Sequence, residues 1–342
     1  MIKNFPEIPE QLSSLYDNHV QKVYEKIAGI SSVDFLRDMP ASQLYSLSGG
    51  GLLRYALLGP KEGMANDNDL TLVFSLPHAK TWDKSPASFV IAETVRQIVD
   101  PNVRMIVLPN NNVGEQAYDF TNVERAKIAK GDLTPITEKD LELIHHFGAK
   151  SLLTLGYSFG AMRMASLAGN LGEDFRLQGA VLLGMPNVVS REERGPISLR
   201  AKFASQKKHI IPEVNKLFVP ALSEFEHTRG WADRFRFELG LLKYTLGGNL
   251  TSTNNALNNS ILSTAFFDDV SRIIKNNKDT KIILGSATDD PVSPIEPVAK
   301  FVKQIKEQSL KSSVEHVIYD GNHITHSSPF MLGLLARKLL NK

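Results

Sequence analysis

The stretch Leu152-Leu153-Thr154-Leu155-Gly156-Tyr157-Ser158-Phe159-Gly160-Ala161-Met162 suits few backbones. An apolar run of strand character meets helix-forming residues with only G-x-S-x-G between them. The two glycines leave room for a tight backbone, and a serine on such a turn presents its hydroxyl at the end of a strand. The spacing therefore predicts a buried strand, a sharp turn at Ser158 and a helix. Three fixed positions recur by chance in roughly one chain in ten of this length, so the rest of the chain decides what the pattern means.

Further strands are expected at 43–48 and 52–59, joined through Gly49-Gly50-Gly51, and at Leu70 to Phe74, Val103 to Leu108, Leu177 to Met185, Lys281 to Leu284 and Val314 to Tyr319. Helices are expected between them, at 87–99, from a cap at Thr137 to Gly148, from Met162 to Leu171 and from Met331 to Leu340. Before the first strand, Leu12, Tyr16, Val20, Val23, Ile27 and Ile30 fall on one face of a helix over 9–30, expected to dock on its own domain. Strand and helix in alternation predict an α/β fold: a mostly parallel central sheet with helices on both faces.

The alternation fails only between the strands ending at Met185 and beginning at Lys281, about 95 residues apart, where a crossover needs only a dozen or so. Helical patches at 212–225, 231–244 and 261–274 fill the gap. The expected organisation is an N-terminal helical extension (1–42), the first part of the core (43–189), an inserted helical cap (190–277) and the second part of the core (278–342).

Composition removes several classes of function. The net charge is +2, from 39 basic and 37 acidic residues, so neither nucleic acid nor an anionic membrane is expected as the main partner. No cysteine is present, which excludes disulfides, a thiol nucleophile and cysteine metal ligation. No apolar h-region or stretch of roughly 20 apolar residues occurs, so a cytoplasmic location without a membrane span is expected. There is no His-Glu-x-x-His, G-x-G-x-x-G or phosphate loop, and no metal, cofactor or clustered His/Asp set is expected.

A serine hydroxyl needs a base within hydrogen-bond reach, and the base needs an acid to orient it. Catalytic groups in α/β sheets sit beyond the carboxyl ends of strands. Two such loops follow Ser158: 285–294, with Asp289 and Asp290, and 320–326, with His323 and His326. Their order, Ser then Asp then His, is the one expected after a strand-to-helix elbow.

From about residue 43 to its end the chain resembles the α/β-hydrolase superfamily. Gly156-Tyr157-Ser158-Phe159-Gly160 matches the family's elbow, Asp290-Pro291-Val292 with Pro294 its acid loop, and Gly321-Asn322-His323 its terminal histidine motif. Phe74-Ser75-Leu76-Pro77 is similar to its oxyanion loop, with Phe74 and Ser75 standing where the family often has His and Gly. The resemblance implies Ser158 as nucleophile, His323 as base and Asp290 as acid, with Asp289 and His326 as lesser alternatives. It implies the backbone N–H groups of Phe159 and Leu76 as oxyanion donors, and a cap over 190–277.

The implied activity is that of a carboxylic ester hydrolase: cleavage of an ester, thioester or amide of a small to medium acyl compound through an acyl-enzyme. Transfer of the acyl group to an alcohol or amine is an alternative. A non-catalytic ligand-binding role, kept open by Phe74-Ser75, is another. Aspartate-nucleophile chemistry is disfavoured, since the elbow residue is Ser158. His326 is expected at the pocket entrance, His78 at the pocket or surface, His145 and His146 at a helix end, and Met162 and Met164 in packing.

Overall fold

A computed structural model describes residues 10–29, 43–59, 70–77, 86–109, 120–189, 256–257, 259–277, 279–307, 313–323 and 325–341. Eight strands form one sheet: β1 (Gln43–Ser46), β2 (Leu52–Leu58), β3 (Leu70–Ser75), β4 (Arg104–Leu108), β5 (Ser151–Tyr157), β6 (Arg176–Leu183), β7 (Lys281–Ala287) and β8 (Ser313–Tyr319). Their spatial order is β1-β2-β4-β3-β5-β6-β7-β8. The pairs β1/β2 and β2/β4 are antiparallel, and the remaining pairs are parallel. The β1–β2 hairpin turns where sequence places it, with Gly50 and Gly51 both at positive φ.

From β3 the chain first goes to β4 on one side and then to β5 on the other. The strand order therefore reverses beside β3 and β5, and open α/β sheets bind ligands beyond the carboxyl ends of the strands at such a point. Ser158 follows β5 directly.

Alternation along each parallel strand supplies two apolar faces. In β5, Leu153, Leu155 and Tyr157 point to one buried cluster and Leu152 to the other. The first cluster is covered by α1 (Glu10–Ser13), α2 (Asn18–Gly29), α3 (Pro86–Val99) and α9 (Pro329–Leu340). The second is covered by α5 (Thr134–His146), α6 (Phe159–Gly169), α7 (Ala265–Asn276) and α8 (Ile295–Glu307). A smaller cluster joins Ile128 of α4 (Asn122–Ala129) to Phe120, Phe159, Leu257 and Ile261 near the start of α6.

The structure corrects three sequence expectations. The N-terminal helix is two helices, because the Asp17 carboxylate accepts the N–H groups of His19 and Val20 and starts α2 afresh. It does dock on its own domain, with Val20 and Val23 in the core and Tyr24 against Phe330. Thr137 is not a cap: α5 begins at Thr134, with a proline in its first turn, and the Thr137 hydroxyl donates to the Thr134 carbonyl. The segment 265–276, assigned by sequence to the insertion, packs as α7 against α6, with Phe266, Val270 and Ile273 in the core. The patches at 212–225 and 231–244 lie outside the described residues. No helix of the described residues is long and apolar enough to cross a membrane.

Two helices went unread in the sequence. One had a signal: Thr121-Asn122-Val123-Glu124 is a capping box, and both of its reciprocal hydrogen bonds form at the start of α4. The other is α8, whose buried Val298, Phe301, Val302 and Ile305 carry helical spacing.

Candidate active site

Ser158 has φ +54° and ψ −131°, a backbone region rarely used by residues other than glycine. The neighbourhood fixes it from both sides. Its N–H donates to the Leu183 carbonyl of β6 at 2.8 Å, and its carbonyl accepts the Ala161 N–H at 3.0 Å. The flanking glycines are steric requirements. A Cβ on Gly156 would lie 2.8 Å from the Ala161 nitrogen and closer still to the Gly160 carbonyl. A Cβ on Gly160 would lie 3.0 Å from the Leu76 carbonyl oxygen and closer still to that of Ser75. These obstacles are backbone atoms, which cannot rotate away. Gly160→Ala is therefore expected to cost about 3 kcal/mol of stability, read as a lower denaturant midpoint; a midpoint equal to the wild type would refute this close approach of α6 to β3.

The three residues assigned by motif meet at one place. His323 Nε2 lies 2.9 Å from Ser158 Oγ, and its Nδ1 lies 2.8 Å from Asp290 Oδ2. All three are buried, and each follows the carboxyl end of a strand: β5, β7 or β8. Asp290 Oδ1 accepts the N–H groups of Val292 at 2.7 Å and Ser293 at 3.1 Å. Burial alone would raise the pKa of Asp290. Interaction with His323, and after it the hydrogen bond from His326, outweighs burial and holds the carboxyl well below the usual range. An ionised Asp290 can only accept, so His323 carries its proton on Nδ1 and turns a lone pair to the Ser158 hydroxyl.

The competing candidates separate clearly. Asp289 is exposed, and its N–H donates to the Gly321 carbonyl. His326 is fully buried and lines no entrance: its Nε2 lies 2.8 Å from Asp290 Oδ2, and its Nδ1 meets the Tyr319 hydroxyl. His145 and His146 stack near Phe175 and Tyr45. Met162 and Met164 are buried. His78 lies outside the described residues.

The expected oxyanion donors fare differently. Phe159 is the first residue of α6 and directly follows Ser158. Leu76 is a correction. Its N–H donates to the Leu108 carbonyl at 3.0 Å, extending the parallel β3–β4 ladder by one rung. An amide held in that ladder is not available to an oxyanion at Ser158. The chain from 78 to 85, which follows it, lies outside the described residues.

Sequence spacing gave no sign of a His/Asp cluster, yet folding builds one. Asp290, His323 and His326 each bring one ligand-type atom within 4.8 Å of the others. Those atoms already hydrogen-bond to one another, so the cluster is complete as a proton-sharing network.

No family model and no curated relative matches this chain. Solved structures do. Bromoperoxidase from Bacillus anthracis superposes with a TM-score of 0.52 at 14% identity, over 88% of this chain and 100% of that one. MGS-M2, an alpha/beta hydrolase enzyme from a Medee basin deep-sea metagenome library, gives 0.52 at 14% identity, over 88% and 98%. An esterase from Exiguobacterium antarcticum gives 0.51 at 13% identity, over 88% and 100%. At such identities the likeness is one of fold.

Proposed function

We propose that this chain, which has the α/β-hydrolase fold, is a serine hydrolase acting on an ester, thioester or amide of a small to medium acyl compound. One observation carries the reading: Ser158 Oγ, His323 and Asp290 are joined in line by contacts of 2.9 and 2.8 Å. His323 Nε2 takes the hydroxyl proton as Ser158 Oγ attacks the carbonyl carbon. Asp290 stabilises the imidazolium that results. The proton passes to the leaving group, and water, activated by the same histidine, releases the acid from the acyl-enzyme. Phe159 N–H is the proposed first donor to the oxyanion, a contribution of about 3 kcal/mol for such a group.

A fluorophosphonate probe tests this. Wild-type protein is expected to form a stable adduct at Ser158, and Ser158→Ala to form none; equal labelling of both sinks the proposal.

The placement of Leu76 N–H favours a second reading, in which the fold binds a ligand without turning it over. Wild-type protein that is labelled by the probe, yet hydrolyses no member of a broad p-nitrophenyl ester panel, would support it.

A further inference from the structure

His326 is not needed for a Ser-His-Asp triad, yet it is buried against the acid of that triad. It sits on a short 3-10 turn, Thr325–Ser327, between β8 and α9, and its side chain is 0% exposed. Resting on the serine-hydrolase reading above, we propose that His326 and Tyr319 form a positioning pair that locks Asp290 and, through it, the orientation of His323.

Among the described residues, the hydrogen bonds of Asp290 and His326 can be counted. A carboxylate has about four acceptor positions and no donor. Asp290 receives four donors: Val292 and Ser293 N–H on Oδ1, and His323 Nδ1–H and His326 Nε2–H on Oδ2. With its proton on Nε2, His326 presents Nδ1 as an acceptor, and the Tyr319 hydroxyl fills it. Each hydrogen bond along the row Tyr319–His326–Asp290–His323–Ser158 therefore has one donor and one acceptor.

The ring has little freedom to depart from this arrangement. Gly184, at φ +59°, lies so close to the ring that a Cβ there would fall 2.7 Å from His326 Cγ and closer to Cδ2. Tyr319 packs edge-on with ring centroids 5.5 Å apart, and His323 does so at 5.4 Å. Among the described residues, the titratable groups in contact with His326 are Asp290, His323 and Tyr319. Burial lowers the proton affinity of His326 and outweighs the hydrogen bond and charge of Asp290, so the ring stays neutral. Burial, reinforced by the Asp290 charge, keeps the Tyr319 hydroxyl protonated and able to donate.

A second N–H on Oδ2 holds the carboxylate in the plane that His323 needs. Removing His326 should therefore misplace His323.

Fluorophosphonate labelling of Ser158 reads this effect without a known substrate. His326→Leu is expected to lower the labelling rate roughly tenfold, as loss of an orienting partner does. His326→Gln keeps an N–H for Asp290 and is expected to restore most of the rate. A folded His326→Leu protein with an unchanged rate overturns the inference, and so does equal damage from Leu and Gln. Imidazole ¹⁵N spectra of the wild type give a readout that needs no variant. They should show His326 neutral with its proton on Nε2 at about pH 7, and a protonated ring or an Nδ1–H tautomer there overturns the inference. Failure of wild-type protein to label at all refutes the hydrolase reading instead.

Discussion

Asp290→Asn is expected to lower the labelling and hydrolysis rates by about 10⁴ while leaving the protein folded. The reason lies in which donors can change. The Asn amide nitrogen accepts nothing, so it must face either the Val292 and Ser293 N–H groups or the two imidazoles. Backbone amides cannot move their protons, but imidazoles can. The amide nitrogen therefore turns to the histidines, and His323 accepts on Nδ1 and carries its proton on Nε2. That proton points at Ser158 Oγ, and the base is gone. Rates on a p-nitrophenyl ester, with circular dichroism as a check of folding, measure this; a variant within tenfold of wild type would contradict the proton placement argued above.

The second large effect is on stability, at a site outside the chemistry. Arg163 of α6 and Asp140 of α5 form a forked ion pair, with Arg163 Nε 2.7 Å from Asp140 Oδ2 and both side chains at 1% exposure or less. Arg163 also donates to the Pro109 carbonyl at the end of β4 at 2.6 Å. Asp140→Ala strands a buried guanidinium, and leaving one ion of such a pair alone costs about 3–5 kcal/mol. Pairing that change with Arg163→Met should recover most of the loss, because the uncompensated charge goes with it. Urea denaturation of both variants decides the matter: a double variant no more stable than Asp140→Ala alone would show that the pair matters for its contact to Pro109 rather than for its charge.

Much of the site was legible because a motif reports local backbone and chain order. G-x-S-x-G encodes a steric limit that Gly156 and Gly160 meet against named backbone atoms, and acid and base follow strands that apolar runs mark plainly. What could not be read depends on a distant partner. Nothing in Phe74-Ser75-Leu76-Pro77 shows that Leu108 takes the Leu76 N–H, because a ladder rung belongs to two strands. His326 is three residues from His323, and the sequence alone allowed it to line an entrance; only folding reveals that Tyr319 and Asp290 occupy its two nitrogens. The strand order β4-β3-β5, which sets the reversal beside Ser158, is likewise a tertiary outcome. The break between α1 and α2 had a local cause in Asp17, but an unbroken apolar stripe concealed it.

Asp17 has one further consequence. Its Oδ1 starts α2, while its Oδ2 holds Arg337 of α9 at 2.6 Å, 320 residues further along the chain. Arg337 in turn donates to the Ile98 carbonyl at the end of α3. Ribosomes add roughly 5–20 residues per second, so α2 emerges on the order of tens of seconds before the helix it is fastened to exists. During that interval Val20 and Val23 lack the α9 side of their resting place. The amphipathic α2 must therefore wait, on or off the ribosome, for the distant helix that latches it.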